Sequence, residues 1–203
     1  MDSLRKAIVS IRWASAMPLK PVKFVCGHCG TAGSSITGFE GSVFIVADSK
    51  PISSAHIYIC SFCGRPTFVH SGEQIPGALY GQEVGFLPPD VEGICNQARA
   101  CMTVGAFSGT VLLCRKLLMH IAVSKGSPEG LKFIEYIDQL AGMGWVPPDG
   151  KPWINHIRQK GNEATHEILL STKADAEQLI TFSEMLLRFI FEFHKRIPST
   201  EKA

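Results

Sequence analysis

Charge is scarce in this chain: aspartate, glutamate, lysine and arginine make up 19% of its 203 residues, and the formal net charge is only +2. Basic and acidic residues stand at seven against five over residues 1–88 and at thirteen against thirteen beyond them. Sequence-independent binding of nucleic acid needs several lysines or arginines turned toward phosphates. The composition disfavours that class and leaves room for a local basic patch at most. Long apolar runs are also missing. Polar or charged residues interrupt every candidate before the ~20 residues needed to cross a bilayer, so no membrane insertion is expected. Arg5 and Lys6 precede an apolar stretch that Arg12 cuts short, which makes the ASA at 14–16 a poor export cleavage box and a cytoplasmic location the expectation. The sequence holds no phosphate-cradling glycine loop, no nucleophile elbow and no carboxylate cluster, so the common catalytic sets are absent. There is no internal repeat and no low-complexity tract. A hydrophobic content of 45% is enough to bury one good core plus a small stapled domain.

The strongest positive signal is a pair of CxxC elbows, CGHCG at 26–30 and CSFCG at 60–64. Each brings two sulfurs round a tight turn, with Gly30 and Gly64 placed where the backbone must bend sharply. Together Cys26, Cys29, Cys60 and Cys63 can supply a tetrahedral four-thiolate site for one structural Zn2+ per chain. The thirty residues between Cys29 and Cys60 exceed the gap of a compact finger and suit a zinc ribbon, each elbow at a hairpin tip and a longer arm between them. PVKFV at 21–25 and HIYI at 56–59 run into the elbows as β-branched and aromatic segments, and PTFVH at 66–70 leaves the second in the same style. Two disulfides are the alternative. Cys95, Cys101 and Cys114 bring the total to seven, an odd number that fits a reducing compartment better. Those three read as buried thiols acting as small hydrophobes. His28 and His70 flank the elbows as alternative ligands, although four cysteines already complete a tetrahedron.

The chain changes character at Pro88 and Pro89. Beyond them apolar residues recur at helical spacing, giving helices over about 90–103, 106–125, 129–142, 151–168 with a possible break, and 172–196. Asp90 is placed to cap the first, Gly105 separates the first two, and GSPEG at 126–130 closes the second. Thr172 with Asp175 resembles a capping box opening the last helix, whose buried side would carry Leu179, Phe182, Met185, Leu186, Phe189, Ile190 and Phe193. TVLLCRKLLMHIAV at 110–123 is apolar almost all round and belongs at the centre of a bundle. Trp145, Trp153 and Phe133 surround the PPDGKP turn at 147–152 and would anchor it. The fold class is therefore α+β, a small β zinc ribbon over 1–86 followed by an all-α bundle over 87–203.

LPPDV at 87–91, ICNQARACMTVGAFSGTVLLCRKLL at 94–118, WINHIRQKGNEATHE at 153–167 and the closing helix at 173–196 together resemble the bacterial domain of unknown function 4145. The specific elements are Arg115 and an IRxxGNxxxH signature at Ile157, Arg158, Gly161, Asn162 and His166. Met119 departs from the pattern, standing where such domains usually place an acidic residue. That family is similar to the HEPN superfamily of helical bundles, many of them dimeric, metal-independent ribonucleases in prokaryotic defence and toxin systems. The resemblance implies a HEPN-like bundle, a homodimer, and a place in phage defence or stress response.

The signature has a physical reading of its own. On a continuous helix Asn162 lies about 40° and His166 about 80° round from Arg158, so the three can share one polar stripe. In a metal-free RNA cleavage Arg158 would neutralise the phosphate, His166 would shuttle protons and Asn162 would orient either group. Seven residues separate Arg158 from His166, more than HEPN nucleases usually hold there. Eight steps of ~1.5 Å set the two Cα atoms about 12 Å apart, and Gly161 can break the helix between them. Lys160 meets the nuclease spacing to His166 without the bidentate grip of a guanidinium. Arg115 and His120 also meet it, yet point about 140° apart on the central helix, where Arg115 would serve a buried ion pair or a network with the GN turn. Two function classes follow: a binding and assembly module for a partner protein or RNA, and a ribonuclease with a composite dimeric site.

Overall fold

The structure, a computed structural model, describes residues 11–44, 51–146, 153 and 170–196. The chain divides into two compact units, residues 1–80 and 81–203. The helix expected over 151–168, with Arg158, Lys160, Asn162 and His166, and the PPDGKP turn lie outside the described residues, Trp153 excepted.

The first unit is one antiparallel sheet in sequence order: β1 (Met17–Val25), β2 (Ala32–Phe44), β3 (Pro51–Ile59), β4 (Pro66–His70) and β5 (Glu73–Ile75). The three segments predicted as strands are strands, and each elbow joins two neighbours, β1 to β2 and β3 to β4. The linking arm holds β3 and, before it, β2, a strand of 13 residues. The β2 sequence AGSSITGFEGSVF is rich in glycine and serine, residues of low strand propensity; Ala32–Gly38 is held by β1 and Gly38–Phe44 by β3. β1 takes the edge, where Pro18 and Pro21 cost no ladder bond, and its register shifts between Pro18 and Val22. Tyr58, buried, donates its hydroxyl proton to the Lys20 carbonyl at 2.9 Å. Gln74 of β5 donates to the Val25 carbonyl of β1 at 2.9 Å, so the two ends of the sheet meet beside the elbows.

The second unit holds α1 (Pro89–Thr103), α2 (Phe107–Ser124), α3 (Phe133–Gly142) and α4 (Lys173–Leu187), the last running on through a π turn, Arg188–Glu192, into a final turn, Phe193–Arg196. α2 packs against α1, α3 and α4, and its Leu117, Leu118 and Ile121 are almost wholly buried, each contributing about 1.5–3 kcal/mol. By length and composition α2 alone among the described helices could cross a membrane; it carries Arg115 and Lys116 at mid-length, and its buried face is taken by the other helices.

Three local expectations are corrected. Asp90 is not the cap of α1: Pro88 holds that position with no side-chain bond, Pro89 begins the helix, and Asp90 lies in the first turn, where its charge favours the N-terminal dipole. α3 starts at Phe133 rather than 129, after Gly130 with φ 82°, and Glu135 accepts the Lys132 amide proton at 2.6 Å. Phe189 and Phe193, both expected on the buried side, are 36% and 53% exposed. The π turn before Phe193 adds a residue to the helical repeat and shifts the stripe, so Leu186 and Ile190 stay buried while Phe193 swings out. The capping box is present: Thr172 Oγ1 accepts the Asp175 N–H at 3.2 Å and Asp175 accepts the Thr172 N–H at 2.9 Å.

Candidate metal centre

Both elbows close with the same hydrogen bonds. The Gly30 N–H donates to the Cys26 carbonyl at 2.8 Å, and the Gly64 N–H to the Cys60 carbonyl at 2.9 Å. Gly30 and Gly64 have φ of 73° and 68°, the left-handed region where only glycine is unstrained. Gly27 is fixed for another reason. A Cβ there would meet the Gly77 carbonyl oxygen at 2.3 Å, so the chain after β5 can lie directly on the first elbow.

The two turns face each other and bring together the four sulfurs predicted from the sequence, all within 4.8 Å of one another. Cys26 Sγ lies 3.8 Å from Cys63 Sγ, and Cys29 Sγ lies 3.9 Å from Cys60 Sγ. A disulfide would need about 2.05 Å. A tetrahedron of sulfurs each ~2.3 Å from a zinc ion has edges of about 3.8 Å. The spacing thus fits a four-thiolate metal site, and each elbow contributes to both short edges.

Local polarity grades the thiols. Burial pushes Cys26 above its ordinary value, against the backbone N–H groups of His28 and Cys29; the His28 N–H lies 3.4 Å from its sulfur. Burial likewise raises Cys63, opposed by the Arg65 N–H. Burial works the same way on Cys29, yet hydrogen bonds from the Thr31 hydroxyl and amide, together with those of Cys26 and Cys63, outweigh it and bring this thiol down to about 7. One thiolate is therefore available near neutral pH, and a cation drives off the remaining protons.

The two histidines turn elsewhere. His28 Nε2 lies 3.0 Å from the Pro66 carbonyl oxygen, a donor's position that ties the first elbow to β4, and His70 Nε2 faces Ser71 Oγ at 3.3 Å. In the helical unit Arg115 and His120 do not converge. The Arg115 guanidinium sits 4.5 Å above the Phe133 ring of α3, where burial lowers its pKa, while His120 Nε2 faces Asp90 of α1 at 3.4 Å. Cys114 is buried, with Cys95 and Cys101 partly so. Trp145 meets Phe189 edge-on at 6.3 Å, and Trp153 stacks on Phe182 at 6.2 Å.

Sequence reading missed a polar ladder along the last helix. Glu184, Arg188, Glu192 and Arg196 pair in succession. The ladder also binds the segment before α1: Gln82 N–H donates to Glu184 at 3.0 Å, and Arg188 donates to the Glu83 carbonyl at 3.0 Å. The i,i+4 spacing of alternating charges was the available signal.

No curated protein and no solved structure is significantly similar to this chain. The family described as domain of unknown function (DUF4145) matches residues 96–202, just over half of the 203 residues, and the chain belongs to that family.

Proposed function

We propose that this member of the DUF4145 family is a zinc-stapled binding and assembly protein rather than an enzyme. Cys26, Cys29, Cys60 and Cys63 hold one structural Zn2+ that fixes the sheet, and the helical unit, HEPN-like in this reading, engages a partner protein or RNA. The observation that carries the proposal is the sulfur cluster, whose 3.8 and 3.9 Å separations match the edge of a ZnS4 tetrahedron. Bound there, the ion would stabilise the fold electrostatically. Four protein thiolates leave no open position on it for water or substrate, so the metal has no catalytic part.

Metal analysis of the purified protein should find one zinc per chain, and the protein should leave tRNA and single-stranded RNA intact in the absence of divalent metal. A folded, metal-free sheet would overturn the zinc assignment. RNA cleavage abolished by both Arg158→Ala and His166→Ala would replace the binding reading with a ribonuclease.

A further inference from the structure

The two elbows are alike in backbone and unlike at their tips. The residue before the second cysteine is His28 in the first and Phe62 in the second. The fold uses His28, whose Nε2 lies 3.0 Å from the Pro66 carbonyl oxygen. Phe62 faces solvent. At 76% exposed it is the barest aromatic side chain among the described residues, although the turn that carries it is closed by two hydrogen bonds. The Gly64 N–H donates to the Cys60 carbonyl and the Cys60 N–H to the Arg65 carbonyl, each at 2.9 Å.

A lone exposed ring needs no explanation, but this one has neighbours of a particular kind. Ile11 and Trp13 both reach Gly64: the Trp13 Nε1–H donates to its carbonyl at 2.7 Å, and a Cβ on Gly64 would lie 3.5 Å from that of Ile11. Arg12, exposed between them, is thereby held at the same elbow from which Arg65 leads away. Trp13 is itself 37% exposed. Neither arginine has an ion-pair partner among the described residues. The carboxylates of the sheet unit's described residues, Glu40 and Glu73, stand elsewhere. Glu40 is 3.8 Å from His56, and Glu73 lies opposite His70 at the far end of β4.

We propose that the second elbow is a binding site for single-stranded nucleic acid, with Phe62 stacked on an unpaired base, Trp13 offering a second ring, and Arg12 and Arg65 taking phosphates. A flat ring alone would suit an apolar pocket on a protein equally well. Two unpaired guanidiniums beside two exposed rings match a chain in which flat bases alternate with anions. A duplex keeps its bases stacked on one another and has none to offer Phe62. The closed turn holds the ring in place before binding, so little freedom is lost on contact. This is the local basic patch for which the chain's low charge leaves room. It lies on the sheet unit and goes beyond the proposed function, which sets the partner on the helical unit.

The test is fluorescence anisotropy of labelled oligo-U, oligo-dT and a duplex of equal length, titrated with the zinc-loaded full chain at low salt. Both single strands should bind, and the duplex at least about tenfold more weakly. Phe62→Ala should weaken single-strand binding by at least about fivefold, and Phe62→Trp should preserve it. Arg12→Ala and Arg65→Ala should each lower the slope of log affinity against log salt by about 0.7. Binding of either strand through Phe62 sustains the inference, and the ratio of the two tells RNA from DNA as the source. Zinc content and melting temperature should be the same in Phe62→Ala as in wild type. A lower melting temperature would mean that the ring packs within the chain, and it overturns the inference. So does a failure of both strands to bind, binding indifferent to Phe62→Ala and Arg65→Ala, or a duplex bound as tightly as a single strand.

Discussion

Glu192 and Gly85 lie 107 residues apart in sequence, and the Glu192 carboxylate accepts the Gly85 amide proton at 3.3 Å. The same carboxylate is 4% exposed and takes Arg188 at 3.2 Å on one side and Arg196 on the other. It sits at the end of the π turn, where the widened helix carries its side chain to the segment entering α1. Gly81 is fitted to that path: its φ is 74°, and a Cβ would press on Ile180 and Glu184. Arg99 holds the Gly81 carbonyl at 2.8 Å. The last helix thus fastens the start of its own unit. Glu192→Ala should cost about 2–4 kcal/mol, because it strips the partner from two arginines and a backbone N–H together. Glu192→Gln, which keeps an acceptor of the same shape, should cost less. Denaturant melts monitored at the helical circular dichroism signal check both.

The metal centre should be separable from the bundle. Cys26→Ser or Cys63→Ser removes one of the four ligands, breaking the 3.8 Å Cys26–Cys63 edge, and the sheet, lacking a large apolar core of its own, should lose its fold with the metal. The bundle keeps Leu117, Leu118, Ile121, Ile137 and Leu186 buried. Helical ellipticity should therefore persist in either variant while amide exchange becomes rapid over 17–75. Loss of the helical signal as well would show that the two units fold together.

Zinc uptake should release protons in a number set by the thiols. Cys26 and Cys63 are held above the ordinary thiol range by burial, while Cys29 is brought to about 7. At pH 7 the apo site is thus mostly protonated, and binding should expel at least two protons per ion. Affinity should fall as pH falls, since acid returns protons to the same sulfurs. Calorimetry in buffers of different ionisation enthalpy measures the count directly.

How much of this was legible beforehand depended on how local the signal was. The elbows are written in adjacent residues, so their four cysteines, their glycines and the strands entering them were readable. Thr172 and Asp175, three apart, announced the cap in the same way. β2 was not readable as a strand, because AGSSITGFEGSVF has weak intrinsic strand preference and becomes one only through β1 and β3. The division of β2 between its two neighbours follows from register, which no single strand records. Phe193 was misplaced because a π turn changes the helical period without an evident mark in the sequence. Glu192 carries no local signal of its burial, because Gly85, which helps to enclose it, lies 107 residues away in sequence. Arg158, Asn162 and His166 rest on the sequence signature alone, since they lie outside the described residues.

Cys114 offers a test of burial in the centre of the bundle. Its side chain is 2% exposed on α2, and desolvation raises its thiol to about 12, with the Ser183 hydroxyl opposing. In the unfolded chain the same thiol ionises near 9. Below pH 9 both states keep the proton and the group adds no pH dependence. Between about 9 and 12 the unfolded chain gives up a proton that the folded one retains, so stability falls as pH rises, by about 1.4 kcal/mol per pH unit. Above that window the folded thiol ionises too and the loss levels off. Other groups also titrate in alkali, so the informative quantity is a difference: the wild-type unfolding free energy should fall more steeply between pH 9 and 11 than that of Cys114→Ala, whatever constant cost the smaller side chain carries. Parallel slopes would mean that water or a local opening already reaches the thiol. In that case Cys114 should also react with iodoacetamide at pH 8 in the native protein, where a closed core keeps it inert.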